Sequence, residues 1–436
     1  MSDHAHKRSR SRIVAWAGLS ALVVALVVPA TVVAAPTTRA VTQGNGGSTE
    51  PDTSGNGHFT TFHSDATDLV AGDDNVARDV FVYDRKSKQT IIVSRHSDGT
   101  LGNEDSEDPD ISADGRWVAF ESESDNLVNV DANGVVEDVF LHDRQTGRTI
   151  LVSVRSNGTQ GDLNSTDPSV SANGRFVAFE SNATNLVAND NNGVKDVFVF
   201  DRTTKQTTLV SRRSNGTIGN GSSGAASISA DGRYVAFESD ANNLVKNDTN
   251  GDADVFIHDR STGKTILASR RPNGRVGNNE SDNPAMSGNG RFVAFESQAS
   301  NLVSGDTNNA KDVFVFDRKT KVVKRVSVRS NGRQANAESE DAEISASGRW
   351  VAFEAEASNL VKGDSNGVED VFVHDRNTGK TLLVSRRSNG SLGNAGSTDP
   401  DVSGDGRWLV FESSATNLVN GDGNGRQDIF LRGPLR

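Results

Sequence analysis

An aspartate that opens an Asp-x-Asn loop recurs along this chain at Asp73, Asp131, Asp190, Asp248, Asp306, Asp364 and Asp422, at intervals of 58 or 59 residues. Seven copies of one unit fill most of the 436 residues, so each unit must bury its apolar surface against its neighbours. The unit beginning at Asp108 reads DPDISADGRWVAFESESDNLVNVDANGVVEDVFLHDRQTGRTILVSVRSNGTQGDLNS. It holds four short apolar segments between turn residues, which we letter A to D. Strand A is the Asp110–Ser112 region, strand B runs from Trp117 to Glu121, strand C from Asp138 to Asp143, and strand D from Thr149 to Arg155. Asp114-Gly115 and Thr146-Gly147 supply hairpin turns. No 3.6-residue period is sustained, which excludes a helical solenoid. Strands apolar on both faces, four to a unit, predict an all-β chain: a seven-bladed β-propeller of four-stranded antiparallel blades.

The two ends of the chain extend the argument. The last unit has strand A at Asp401–Ser403, strand B at Trp408–Phe411 and strand C at Asp428–Leu431, then stops at Arg436 without a strand D. Thr38–Thr42 resembles the strand D segment Thr381–Ser385, and Ser48–Gly57 matches Ser397–Gly406. The phase predicts that the N-terminal segment completes the seventh blade beside its strand C, which removes an exposed edge.

The recurring P-x-[IVM]-S-x-[DN]-G-R-[WFY]-V-A-F-E-S followed by D-V-F-[VIL]-x-D-R resembles the TolB-type, WD40-like β-propeller repeat. It stands at Pro109–Ser122 with Asp138–Arg144, and again at Pro168–Ser181 with Asp196–Arg202; the likeness covers residues 37 to 432. Ala226 and Ala342 replace the proline in two units. TolB's separate N-terminal domain has no counterpart, and the repeat count is seven where TolB has six blades. The resemblance implies architecture and leaves activity open, because such propellers serve as binding platforms, envelope components and partners of peptidase domains.

Residues 1–34 read as an export signal. Lys7, Arg8, Arg10 and Arg12 precede an apolar run from Ile13 to Val28, and Val32-Val33-Ala34 offers small residues for cleavage. An uncleaved membrane anchor is the alternative, since the run is nearly long enough to span a bilayer. Removing residues 1–34 takes away those four cations and Asp3, moving the formal charge from −12 to −15. So acidic a chain argues against a nucleic-acid partner and for cationic clients. There is no cysteine, hence no disulfide and no thiolate metal site.

Between strands B and C each unit carries Asp-x-Asn-x-x-x-Asp: Asp73/Asn75/Asp79, Asp190/Asn192/Asp196, Asp248/Asn250/Asp254, Asp306/Asn308/Asp312, Asp364/Asn366/Asp370 and Asp422/Asn424/Asp428. The second unit has one extra residue, giving Asp131/Asn133/Asp138. Alternating carboxylate and amide oxygens on a turning loop suit calcium, which takes oxygen ligands at about 2.3–2.6 Å. Asp252 adds a further carboxylate and makes the fourth loop the best single candidate. Asp and Asn also close turns on their own backbone without any ion, so both readings stand. Glu121, Glu180, Glu238, Glu296, Glu354 and Glu412 end strand B near these loops and are assigned to pairing with strand D arginines.

His142, His258 and His374 share one strand C position in separate blades, which points to local packing. His58 and His63 replace the usual Arg and Glu of the first unit and read as the degeneracy of a terminal blade. No serine sits in a G-x-S-x-G elbow, and no unit carries a unique convergent polar set. The B–C and D–A loops should emerge on one face, the expected binding surface. These readings describe a secreted or cell-surface, calcium-binding, non-catalytic scaffold for a protein or glycan, with membrane contact only through an uncleaved N-terminus. The alternatives are a hydrolase or lyase acting on polysaccharide or peptide at the propeller face, and a TolB-like envelope subunit.

Overall fold

A computed structural model describes residues 35–435, and the proposed export signal lies outside them. Seven four-stranded antiparallel sheets form the blades. In blade 2 the strands are Ser106–Ile111 (A), Trp117–Ser122 (B), Asp138–Asp143 (C) and Arg148–Leu151 (D), and blades 1 and 3–6 repeat this order. Blade 7 takes its strands A to C from Ser397–Val402, Leu409–Ser413 and Asp428–Gly433. Its fourth strand is Thr37–Ala40, which runs antiparallel to strand C with Thr37 opposite Gly433 and Ala40 opposite Phe430. The ring is thereby closed from both chain ends, as the phase of the repeats requires. Arg432 fastens the join by donating to Thr38 Oγ1 at 2.5 Å, and ties it to blade 6 by donating to the Arg386 carbonyl at 2.7 Å.

Strand A starts earlier than its apolar residues suggest, and strand D ends sooner. In every blade the A–B pairing breaks at a bulge, between Glu107 and Asp110 in blade 2. The bulged residue has positive φ, 46° at Asp108, so the polar stretch before it pairs although it carries no strand pattern. Beyond Leu151 the chain leaves the ladder because Ser153 turns inward and donates to Asp138 Oδ1 at 2.5 Å.

Each blade stacks one phenylalanine of strand B on one of strand C, with centroids 5.9 Å apart for Phe120–Phe140 and 5.5 Å for Phe62–Phe81. The opposite face carries Val and Ala, so aromatic and aliphatic faces of successive blades interlock. One such slab joins Trp117, Val139 and Leu141 of blade 2 to Phe179, Phe198 and Phe200 of blade 3. Burial on both faces is why these strands show no alternation of polar and apolar residues.

The Asp-Arg pair that recurs at the end of strand C has two separate tasks. Asp143 takes a bidentate pair from Arg116 at 2.7 and 2.6 Å within its blade. The following arginine crosses to the preceding blade: Arg202 lies 3.8 Å from the Trp117 ring centroid and Arg318 lies 3.8 Å from that of Tyr234. At Gly174, with φ of 66°, a Cβ would run into the Trp117 indole, so glycine is required there.

The A–B turns meet around the axis. Backbone hydrogen bonds run from Gly55 to Ala113, Asp114 to Ala172, Ala172 to Ala230, Ala230 to Gly288, Asn289 to Ala346, Ala346 to Gly404 and Asp405 back to Gly55. This circuit of small residues narrows one end of the central channel and leaves the other, on the B–C loop side, as its mouth.

Candidate functional site

The seven acidic loops do lie beside the D–A loops. Asn75 Nδ2 donates to Asp79 Oδ2 at 3.0 Å and to the Gly102 carbonyl of the D–A loop at 2.9 Å. Asn192, Asn308, Asn366 and Asn424 repeat the arrangement with Asp196, Asp312, Asp370 and Asp428. The last aspartate of the motif has a structural reason for its persistence: its Oδ1 accepts from a hydroxyl two residues past strand D, Ser94 for Asp79 at 2.5 Å and Thr42 for Asp428 at 2.9 Å. Only its Oδ2 is left to face the loop.

In two blades a donor from the protein itself occupies the point where the loop oxygens converge. Gln160 Nε2 donates to Asp131 Oδ1, Asn133 Oδ1 and Asp138 Oδ2 at 2.9, 2.7 and 2.6 Å. Arg325 Nη1 lies 3.0 Å from Asp306 Oδ1 and 2.9 Å from Asp312 Oδ2. The loops Asp73/Asn75/Asp79, Asp190/Asn192/Asp196, Asp248/Asn250/Asp254, Asp364/Asn366/Asp370 and Asp422/Asn424/Asp428 have no such donor among the described residues. Four of them hold buried oxygens without a hydrogen-bond partner: Asp73 Oδ1, Asn75 Oδ1, Asn250 Oδ1, Asp254 Oδ2, Asn366 Oδ1 and Asp422 Oδ1. Asp252 flanks the Asp254 loop, where burial and then neighbouring Asp248 raise the Asp254 carboxyl to about 7. Burial likewise raises Asp79, Asp196 and Asp370 to about 6. A cation at these points would satisfy the orphaned oxygens and remove the cost of crowding them.

The strand B glutamates do not pair with strand D arginines. Each accepts the backbone N–H of the bulged residue in the next blade: Glu121 from Asp167 at 2.7 Å, Glu354 from Asp399 at 2.7 Å, Glu296 from Asp341 at 2.9 Å. Strand A is the innermost strand, so an acceptor at the end of strand B lies beside the next blade's bulge and far from any strand D arginine. Lysines at the entry to strand C are the charged partners where these occur, Lys195 for Glu180 and Lys311 for Glu296.

Sequence reading missed the channel itself. The seven bulged residues Glu50, Asp108, Asp167, Ala225, Asn283, Asp341 and Asp399 all have φ between 42° and 51°. The left-handed backbone costs a non-glycine residue on the order of 1 kcal/mol or more and here projects the side chain towards the axis. Two residues further on, Asp52, Asp110, Glu343 and Asp401 form a deeper tier. Together the two tiers place nine carboxylates and no basic side chain on the wall of a cavity of about 570 Å³. Asp52 and Asp110 also stitch blades together, accepting the N–H of Ile111 at 2.6 Å and of Val170 at 2.7 Å. Burial, then the charge of Glu343, raises Asp401 to about 7; burial, then Asp110, raises Glu343 to about 8. Burial and neighbouring Glu180 lift Asp167 to about 7. The available signal was the acidic strings that open several units, Glu50-Pro51-Asp52, Asp108-Pro109-Asp110, Asp341-Ala342-Glu343 and Asp399-Pro400-Asp401, which look like loop in a sequence.

The histidines separate by role. His142, His258 and His374 are buried, with Nδ1 2.9 Å from Thr149, Thr265 and Thr381 Oγ1, and burial lowers each to about 4. They pack locally, as expected. His58 pairs with Asp84 at 2.8 Å at the far end of strand B. His63 stands at the channel mouth, 3.2 Å from Glu50 Oε2, and the first unit therefore does carry a convergent polar set absent from its fellows.

No protein-family model and no curated protein sequence matches the chain. Solved structures match its fold. The β-propeller domain of the Trilobed protease from Pyrococcus furiosus aligns with a TM-score of 0.54 at 12% identity, covering 89% of this chain and 93% of that one. The fold is a seven-bladed β-propeller. Oligogalacturonate lyase from Vibrio parahaemolyticus aligns with a TM-score of 0.53 at 10% identity over 91% and 93% of the two chains. TolB from Acinetobacter baumannii is also matched, at 14% identity with a TM-score of 0.41 over 89% and 79%. At identities of 10–12% the likeness to the protease propeller and the lyase shows the fold and leaves activity open.

Proposed function

We propose that this propeller is a calcium-stabilised, non-catalytic binding platform that works outside the cytoplasm and holds a cationic segment of a partner protein at its acidic channel mouth. The observation that carries the reading is the wall of nine carboxylates without a basic residue, set on a strained backbone that aims the upper tier at the axis. A lysine- or arginine-bearing segment entering this mouth meets the field that the rings create and relieves their mutual repulsion. Calcium belongs in the five loops without an internal donor, where it stiffens the rim around the mouth. The N-terminal export signal supports a location beyond the cytoplasmic membrane.

The same electrostatics weighs against the enzyme alternative. A polyuronate of the kind named for the matched lyase is an anion, and the cavity offers it no cation from the chain. A TolB-like place in an envelope complex is compatible with the platform but adds no feature of its own.

The test is binding of a labelled lysine-rich peptide, a neutral glycan and an acidic glycan to the purified protein in calcium. The platform reading expects the peptide alone to bind, more weakly as salt rises, with at least a tenfold loss in Asp167→Asn/Asp401→Asn. Preference for either glycan, or peptide binding indifferent to these substitutions, would refute it.

A further inference from the structure

At the seam between blades 1 and 2 the pattern of the other seams fails. Elsewhere a strand B glutamate accepts the N–H of the next bulged residue, as Glu121 does for Asp167 and Glu412 does for Glu50. Here His63 replaces the glutamate, and its side chain is 6% exposed. Its Nε2 lies 2.5 Å from Thr49 Oγ1. Its Nδ1 has no hydrogen-bond partner, yet it points at Glu50 Oε2 from 3.2 Å. A carboxylate oxygen of Asp108 completes the group, with all three ligand atoms within 4.8 Å of one another.

We infer that Glu50, His63 and Asp108 form a binding site for one divalent metal ion of the zinc, manganese or cobalt class at the mouth of the channel. Two carboxylates meeting a buried imidazole nitrogen need something positive between them, either protons or a metal. A mixed nitrogen and oxygen set favours borderline metals over calcium, which prefers oxygen alone. With ligand bonds of about 2.1 Å, opposing donors can be no more than about 4.2 Å apart, so the group must close by several tenths of an ångström. Glu50 is the exposed member of the group, so its side chain has the room to make that movement. Metal binding selects the tautomer with the His63 proton on Nε2, donated to Thr49 Oγ1, so Thr49 orients the ligand. Arg78 is the nearby cation that opposes binding, but it is engaged by Asp65 at 3.0 Å and by Glu107 at 2.5 Å. Glu50 and Asp108 also line the channel cavity. The site differs in ligands and place from the calcium loops, and its failure would leave the platform reading intact.

The test is equilibrium dialysis of the purified protein against Zn²⁺ in excess calcium, with the visible spectrum of Co²⁺ as a second readout. One Zn²⁺ per chain is expected in excess of any bound by His63→Glu. That variant restores the glutamate of the other units, so it should fold with an unchanged melting temperature while losing the site. Asp108→Asn should weaken zinc at least tenfold and abolish the tetrahedral Co²⁺ spectrum, and His96→Gln should change neither. Absence of a stoichiometric zinc ion, or zinc retained at full affinity by both His63→Glu and Asp108→Asn, would overturn the assignment.

Discussion

The internal donors Gln160 and Arg325 turn the calcium reading into a countable one. If each open loop binds calcium with a Kd of about 0.1 mM, then at about 2 mM calcium each contributes roughly 1.8 kcal/mol to stability. Five open loops give roughly 9 kcal/mol, against roughly 13 kcal/mol if all seven bound an ion. With an unfolding entropy of about 2.1 cal/mol/K per residue, five ions raise the melting temperature by on the order of 10 °C over the value in chelator. Titration calorimetry should return five calcium ions per chain. Removing the internal donors should open closed loops: Gln160→Gly is expected to free Asp131, Asn133 and Asp138 and bring the count to six. Arg325→Ala should do the same for Asp306, Asn308 and Asp312, and the double variant should reach seven. Both substitutions are expected to destabilise the calcium-free protein, because they strip partners from buried carboxylates, and to be compensated by calcium. A protein that binds no calcium, or that binds the same number with and without Gln160 and Arg325, refutes the reasoning and reduces the loops to ordinary turns.

Further expectations concern pH, backbone and the contacts between blades. Asp167, Asp401 and Glu343, raised to about 7, 7 and 8, bind protons more tightly folded than unfolded, so their stabilisation is complete below the unfolded pKa and is lost as pH rises through the folded one. His142, His258 and His374, lowered to about 4, oppose this only below their unfolded pKa of about 6.5. Denaturant unfolding in chelator should therefore show stability falling between about pH 6.5 and 8, with a shallower slope in Asp401→Asn; a flat or rising profile would contradict the crowded channel. Ala225, at φ of 45°, should gain about 0.5–1 kcal/mol on substitution by glycine, read from the urea midpoint. Gly174→Ala should lose about 2–3 kcal/mol or more in the same assay, because its Cβ meets Trp117 on a left-handed backbone. Arg202→Ala should cost about 1–2 kcal/mol through the stacking on Trp117 and the bond to the Gly174 carbonyl.

The fold was legible because periodicity survives where local pattern fails. The 58-residue spacing of Asp73 and its fellows, the turn glycines and the missing strand D of the last unit together determined blade number and the closing strand at Thr37–Ala40. The acidic loops were legible too, since Asp and Asn at fixed offsets lie within a few residues of each other and geometry there is local. What only the tertiary structure decided depends on distances between strands of one blade and between blades. Gln160 and Arg325 fill their loops from 22 and 13 residues away, and nothing in their local sequence marks them as substitutes for an ion. Glu121 serves Asp167 in another blade rather than an arginine in its own, because ring closure sets strand B of one blade against strand A of the next. The channel arises in the same way. Five of the seven units contribute one or two acidic residues that look like loop polarity in isolation, and only the ring arrangement brings them face to face, where like charges at close range become the dominant property of the site.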